Sequence, residues 1–196
     1  MSTRMGVDKS LLPVCGVPMI QLVADKVRLM GDEIIITSND PAKYTHINAR
    51  IVPDEYKNFG ALAGLHAGLK AAINDLVIVV ATDMPFINLE LFAFMKERME
   101  PEVDVVIPLS NEGFEPFHAI YRKSTCLPAI ENAILHKKKR IISWFEMVKV
   151  VTIDTETILK IDPDELAFYN INTPEDRLLA EKILLEKTPS KLNKFD

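Results

Sequence analysis

Three short stretches of the chain carry side chains suited to handling phosphate and a metal ion. The first, Ser2-Thr3-Arg4-Met5-Gly6-Val7-Asp8-Lys9, puts two cations and a glycine in one loop. A guanidinium forks onto phosphate oxygens and an ammonium acts on them as a point charge, while a glycine admits a tight turn or a close backbone approach. The same composition also describes a frayed, charged terminus, and the glycine spacing is not that of a Walker A loop. The second is Asp83, reached directly from the aliphatic run Leu76–Ala81. A carboxylate there projects from the carboxyl edge of a sheet, where Mg²⁺ and phosphates meet in open α/β folds. One or two carboxylates suffice for Mg²⁺ when substrate phosphates supply the other oxygens. The plainer alternative is an Asp that only forms the turn after the strand. The third stretch runs from Phe168 to Asp176. In an extended segment Asn170 and Asn172 point the same way, offering the edge of a heterocycle both donors and acceptors. The two amides would equally serve loop backbone groups.

Weaker signals accompany these. Asp54 follows a short strand and is a lesser carboxylate candidate. Gly60, Gly64 and Gly68 recur every four residues and give a helix one smooth face. That face suits close packing on a sheet or approach of a flat ligand, and costs about 1 kcal/mol per glycine relative to alanine. His66 reads as a packed or exposed histidine rather than a ligand. His136-Lys137-Lys138-Lys139-Arg140 is either a solvated basic loop or an attractor for the phosphate of a second substrate.

The elements that position these residues alternate between helix and strand, which predicts an α/β fold with a mostly parallel sheet and helices on both faces. Met19, Ile20, Val23, Val27 and Met30 recur at helical spacing before Gly31. Glu33–Ser38, Arg50–Val52, Leu76–Ala81, Val103–Ile107 (ended by Pro108), Pro116–Tyr121 and Lys149–Ile153 read as strands, with Pro116–Tyr121 antiparallel after the turn at Asn111-Glu112-Gly113. Ala61–Ile73, Leu89–Met99, Ser124–His136 and a short Ile141–Met147 read as helices. Thr173 caps a last helix with Pro174 at its first position and Glu175 and Asp176 in its first turn.

The 196 residues suit one domain, taken as residues 1–188 with a polar tail at 189–196. A phosphate loop at residues 1–12 needs a strand to hold it, so the expectation is that a first strand and a glycine-rich turn belong ahead of Met1. The formal charge of −5 argues against general attraction to nucleic acid. Cys15 and Cys126 show neither metal-ligand spacing nor a disulfide framework, which places the chain in a reducing cytoplasm. No apolar run reaches about 18 residues, so no membrane span is expected, and no signal peptide is visible.

Together the motifs resemble one family, the molybdenum cofactor guanylyltransferases. Ser2-Thr3-Arg4-Met5-Gly6-Val7-Asp8-Lys9-Ser10-Leu11-Leu12 is similar to the end of that family's signature loop, and Gly16-Val17-Pro18-Met19-Ile20 to the next stretch. Ala61-Leu62-Ala63-Gly64-Leu65, Asp83-Met84-Pro85-Phe86 and Phe168–Asp176 follow in the family's order and spacing, and the last is the most specific. The resemblance implies a Rossmann-like nucleotidyltransferase domain. It implies that GTP and a molybdopterin-type cofactor give the guanine dinucleotide cofactor and pyrophosphate, with Mg²⁺. It implies that Arg4 and Lys9 neutralise the triphosphate, that Asp83 holds Mg²⁺, and that Asp54 lies near the guanosine. Thr37 and Asn39 would line the base or ribose pocket, and Asn170 and Asn172 would face the pterin. Further partners would be proteins of cofactor biosynthesis or molybdoenzyme maturation. Two features depart from the family: its leading strand and Leu-Ala-Gly-Gly turn do not appear before Ser2, and Ala61 stands where proline is usual. Two alternatives stay open. One is the same fold using CTP or another phosphorylated acceptor; the other is a degenerate, non-catalytic cofactor-binding relative.

Overall fold

A computed structural model of the chain describes residues 9–187. In chain order it forms a hairpin of β1 (Pro13–Val14) and β2 (Val17–Pro18), then α1 (Met19–Val27), β3 (Ile35–Thr37), β4 (Arg50–Val52), α2 (Ala61–Ala71), β5 (Leu76–Val80) and α3 (Leu89–Lys96). There follow β6 (Val105–Ser110), β7 (Gly113–Phe114), β8 (His118–Arg122), α4 (Lys123–Leu135), β9 (Val150–Ile153), α5 (Thr155–Ile161) and α6 (Pro174–Lys187).

The main sheet has the spatial order β5-β8-β6, with β9 on the far side of β6 and β7 extending β6 as a hairpin. β8 is antiparallel to both β5 and β6, and β9 is parallel to β6. Thus β5, β6 and β9 share one direction and β8 alone among these four is reversed. β3 and β4 pair in parallel in a separate two-stranded sheet. The period-2 alternation of the strands splits the core into two layers. Val77, Val79, Val105, Ile107, Ala119 and Tyr121 pack with α2 and α4 on one face. Ile78, Val80, Val106 and Ile120 pack with α3, α5 and the Val23–Val27 side of α1 on the other. Helices therefore cover both faces, as the alternating pattern predicts.

Several boundaries differ from the sequence expectation for local reasons. β6 runs through Pro108 instead of stopping before it. The pairing of β6 with β8 ends at Val106, so no N–H is demanded of Pro108 from that side, and the proline pairs in register with Ile153. The expected helix Ile141–Met147 is only a 3₁₀ turn, Phe145–Met147, beside the buried Trp144, whose indole N–H donates to the Ile141 carbonyl at 2.8 Å. α5 was not foreseen; Asp154 caps it by accepting from Thr157 N at 2.8 Å. The β1–β2 hairpin also went unread. Its two-residue turn, Cys15-Gly16, has both residues at positive φ, 50° and 79°, which matches the primed turns of tight hairpins.

His118 is an anomaly in this core. Its ring stacks on Phe92 with centroids 4.3 Å apart and meets the edge of Phe168 at 5.3 Å. It is fully buried, and neither ring nitrogen has a hydrogen-bond partner among the described residues. Burial pushes its pKa from 6.5 down to about 3. The unfolded chain therefore takes up a proton below pH 6.5 that the folded chain refuses until about pH 3. The residue subtracts stability as pH falls through that window and has no such effect above it. His118→Phe is expected to keep the ring packing and to flatten the fall in Tm between those pH values. An unchanged pH profile would show that other groups govern it.

Candidate active site

The polar residues of interest gather at the carboxyl ends of the strands. Asp83 lies in the turn just beyond β5 and is half-buried. Its main-chain carbonyl accepts from Ile171 N at 2.9 Å, which fastens the segment leading into α6 against this turn. Among the described residues no hydrogen bond or ion pair engages the Asp83 carboxylate.

The segment belongs to no helix or strand, and its burial decides which side chains are presented. Ile171 is buried, with Val14, Met19 and Ala180 in its cluster. Asn170 is half-buried and Asn172 exposed, while Ile171 between them is turned into the core. A reciprocal cap fixes the exit into α6. Asp176 N donates to Thr173 Oγ1 at 3.1 Å, while the Asp176 carboxylate accepts from Asn172 N at 2.9 Å and Thr173 N at 2.8 Å. These two N–H donors, with Asn172 the larger cause, hold the Asp176 carboxyl below the usual carboxylate range. The clamp is thus complete near neutrality and is lost only as pH falls through that lowered value. Thr173→Ala should remove its side-chain half at a cost of about 1 kcal/mol, visible as a lower Tm.

Lys9 meets this segment from the other end of the chain. Its Nζ donates to Asn172 Oδ1 at 3.1 Å across 163 residues of sequence. Ser10, next to it, hydrogen-bonds Tyr44 through the two hydroxyls at 3.1 Å, tying the loop to the segment after β3. Asn170 Nδ2 donates to the Phe168 carbonyl at 3.3 Å, so one of its donors serves the local backbone.

A second cluster forms where β3 and β4 end. Asn39 Nδ2 donates to Asp54 Oδ2 at 3.1 Å and Asp54 N donates to Asn39 Oδ1 at 3.0 Å. Thr37 lies against α2, and this explains the glycine stripe. A Cβ on Gly64 would come within 3.3 Å of Thr37 Oγ1, and one on Gly68 within 3.4 Å of Thr37 Cγ2. The smooth face therefore serves close helix–strand packing at the rim of this cluster. Gly60, ahead of α2, has φ 53° and ψ −129°, a conformation that only glycine adopts without strain.

The structure thus joins Lys9 with Asn172, Asp83 with the Asn170–Asn172 segment, and Asn39 with Asp54 beside Thr37. Arg4 lies outside the described residues. His66 is a packed residue: it is buried, edge-on to Tyr56 at 4.8 Å, with Nε2 3.3 Å from Glu131 Oε1. The basic run Lys137–Arg140 is exposed, and Lys138, Lys139 and Arg140 line a surface hollow with Ile142, Ser143 and Glu146 that shares no residue with either cluster. Asp176 is thus more than first-turn acidity: its spacing three residues after Thr173 is the sequence signal for a cap.

Among the described residues no three His, Cys, Asp or Glu side chains converge on a metal-sized point. A divalent cation here would rest on the unengaged Asp83 carboxylate and on substrate oxygens, the pattern suited to Mg²⁺. An open α/β sheet with such a carboxylate and an ammonium at its carboxyl edge defines a domain built to handle a phosphorylated ligand. Residues 1–150 match the family described as the MobA-like NTP transferase domain. The chain belongs to that family and is a nucleotidyltransferase. It is 32% identical over 195 residues to a probable molybdenum cofactor guanylyltransferase of Peptoclostridium acidaminophilum, covering 96% of this chain and 88% of the relative. It is 35% identical over 187 residues to the protein of that description from Pelotomaculum thermopropionicum, covering 95% and 90%. Its structure resembles molybdopterin-guanine dinucleotide biosynthesis protein A of Archaeoglobus fulgidus, with a TM-score of 0.80, 30% identity and 95% of each chain covered.

Proposed function

We propose that this chain transfers the GMP moiety of GTP to a molybdopterin-type cofactor, giving the guanine dinucleotide cofactor and pyrophosphate, with Mg²⁺ at Asp83. The observation that carries the reading is the contact of Lys9 with Asn172, in a segment bonded to Asp83. A transfer between two bound molecules needs the group that holds the triphosphate and the group that holds the acceptor at one point. A phosphate oxygen of the acceptor attacks the α-phosphorus of GTP in line. The new P–O bond forms as the α–β bridge breaks, and pyrophosphate leaves with the bridging oxygen. Lys9 turns from Asn172 to the phosphates and neutralises charge that grows on the leaving group. Asn172, released, offers its amide to the pterin, and Arg4 supplies a second cation to the triphosphate. Asn39, Asp54 and Thr37 border the nucleoside. Mg²⁺, when bound, adds charge neutralisation across the phosphates. Orientation and electrostatics supply the rate, so no protein nucleophile is required.

Among the described residues no helix is long and apolar enough to cross a membrane, and the two free thiols, Cys15 exposed and Cys126 buried, fit a reducing cytoplasm. Turnover with GTP, CTP, ATP and UTP in the presence of Mg²⁺ and the molybdopterin acceptor tests the assignment. GTP is expected to be preferred; preference for CTP would redirect it to a cytidylyl transfer. Asn172→Ala is expected to weaken acceptor binding about ten- to hundredfold, the worth of one hydrogen bond in a desolvated site, while sparing GTP affinity. A lower Tm with unchanged acceptor affinity would make Asn172 purely structural.

A further inference from the structure

His118 costs the core stability that an aliphatic residue would not. It is fully buried, and both ring nitrogens lack a hydrogen-bond partner among the described residues. It stands at the first position of β8, where valine or isoleucine would suit a strand and leave no polar atom unsatisfied. A buried polar group without a partner calls for a reason, and departures from local rules concentrate at functional sites. Here the reason is the set of elements that the ring joins.

Three pieces of chain meet at His118. It is in register with Val80, the last residue of β5, and Ala81 N donates to the neighbouring Phe117 carbonyl at 3.1 Å. β8 therefore holds the chain where the Asp83 turn leaves the sheet. That turn runs into α3, and the His118 ring stacks on Phe92 of this helix with centroids 4.3 Å apart and planes 23° from parallel. The two ends of the turn that carries Asp83 are thus tied to one residue, by its strand register and by its ring. The third piece is the 3₁₀ turn Leu166–Phe168. Its last ring, Phe168, meets His118 edge-on at 5.3 Å and 81°. A flat ring serves two aromatic neighbours set at different angles; an aliphatic side chain fills the volume without fixing either.

Phe168 is where the Asn170–Asn172 segment departs from the core. Its carbonyl accepts from Asn170 Nδ2 at 3.3 Å. Tyr169 sets its ring edge-on to Phe86, three residues after Asp83, at 6.0 Å. Ile171 N donates to the Asp83 carbonyl at 2.9 Å. The segment is therefore matched to the Asp83 turn at three places: Phe168 through His118, Tyr169 through Phe86, and Ile171 through the main chain. His118 is the only fully buried residue among these contacts, so it gives them their fixed reference. We infer that His118 is a positioning residue: its ring, held between Phe92 and Phe168, sets the Phe168–Asn172 segment relative to Asp83. The consequence rests on the proposed transfer, in which that spacing decides how the acceptor meets the α-phosphorus. A misplacement of about 1 Å between reacting groups costs on the order of 100-fold in rate.

The test compares His118→Leu, which keeps an apolar core but removes the ring, with His118→Phe, which keeps a ring. Phe168→Leu breaks the same contact from the half-buried side, should His118→Leu fold poorly. Hydrogen exchange is followed at the amides of Ile171, Asn172 and Thr173, with Val105 and Arg122 at the other edge of the sheet as references. In His118→Leu and Phe168→Leu the three segment amides are expected to exchange about tenfold faster or more, with the references unchanged. KM for the molybdopterin acceptor should rise about tenfold and kcat should fall about ten- to hundredfold, while KM for GTP stays within about twofold. His118→Phe should restore both the protection and the acceptor KM. Unchanged exchange at Ile171–Thr173, or exchange raised equally at Val105 and Arg122, overturns the inference. So does an equal rise in both KM values, or a His118→Phe variant as impaired as His118→Leu. A wild type that transfers no GMP counts against the proposed reaction alone, because exchange at Ile171 still decides whether His118 holds the segment.

Discussion

Asp83→Asn is expected to fold like the wild type and to lose at least about 100-fold in kcat, the scale of removing one charge-stabilising group from a transfer site. The substitution keeps the shape of the side chain and leaves the main-chain bond from Ile171 N untouched. What disappears is the negative charge. An amide oxygen is a poor substitute in a site where one protein carboxylate and substrate oxygens must hold a divalent ion. The defect should be only partly relieved by raising Mg²⁺, and Tm should stay near that of the wild type. Turnover within a few-fold of wild type would remove Asp83 from the metal site. A large drop in Tm would assign it to the turn instead.

Lys9→Ala carries the next largest effect. Lys9 is the one described cation in contact with the Asn170–Asn172 segment, through its 3.1 Å bond to Asn172. A charge-assisted bond to phosphate is worth roughly 1.5–3 kcal/mol, so KM for the triphosphate should rise about ten- to hundredfold. The loss should shrink as salt screens the wild-type attraction, and Lys9→Arg should recover part of it because the charge remains. Equal KM values for wild type and Lys9→Ala at low salt would contradict the role. Comparing Lys9→Ala and Asn172→Ala with the double substitution shows whether the two groups act on one transition state, since residues that act as a unit are non-additive.

Local signals carried much of the fold. The Arg50–Val52 strand matches its expected bounds, the Leu76–Ala81 strand ends one residue early, and Thr173-Pro174 starts α6 as a capped helix should. Leu76–Ala81 is an aliphatic run and Thr173-Pro174 a cap, and the short Arg50–Val52 strand is closed by Pro53, so each signal is contained in a few neighbouring residues. The misses lie where tertiary context decides. Pro108 locally signals a stop, but a strand's tolerance for proline depends on which neighbour asks for its N–H. α5 is seven residues with little periodicity, held by its cap and by packing on β6. The site was legible by residue type and not by arrangement. Lys9 and Asn172 lie 163 positions apart, and no local pattern links them. The choice for Gly64 and Gly68 between packing and ligand approach was settled only by where Thr37 sits. The Asn39–Asp54 pair, too, is a meeting of two loops that spacing does not announce.

In the proposed reaction the GMP moiety of GTP passes through its α-phosphorus to a phosphorylated pterin acceptor. The most direct measurement uses GTP labelled at the α-phosphorus, Mg²⁺ and the molybdopterin acceptor, with the products resolved by mass. Label is expected to pass into a species heavier than the acceptor by one GMP unit, with one pyrophosphate released per transfer, and both are expected to be lost together in Asp83→Asn. Release of labelled GMP to water without transfer, or label on the acceptor undiminished in Asp83→Asn, would contradict it.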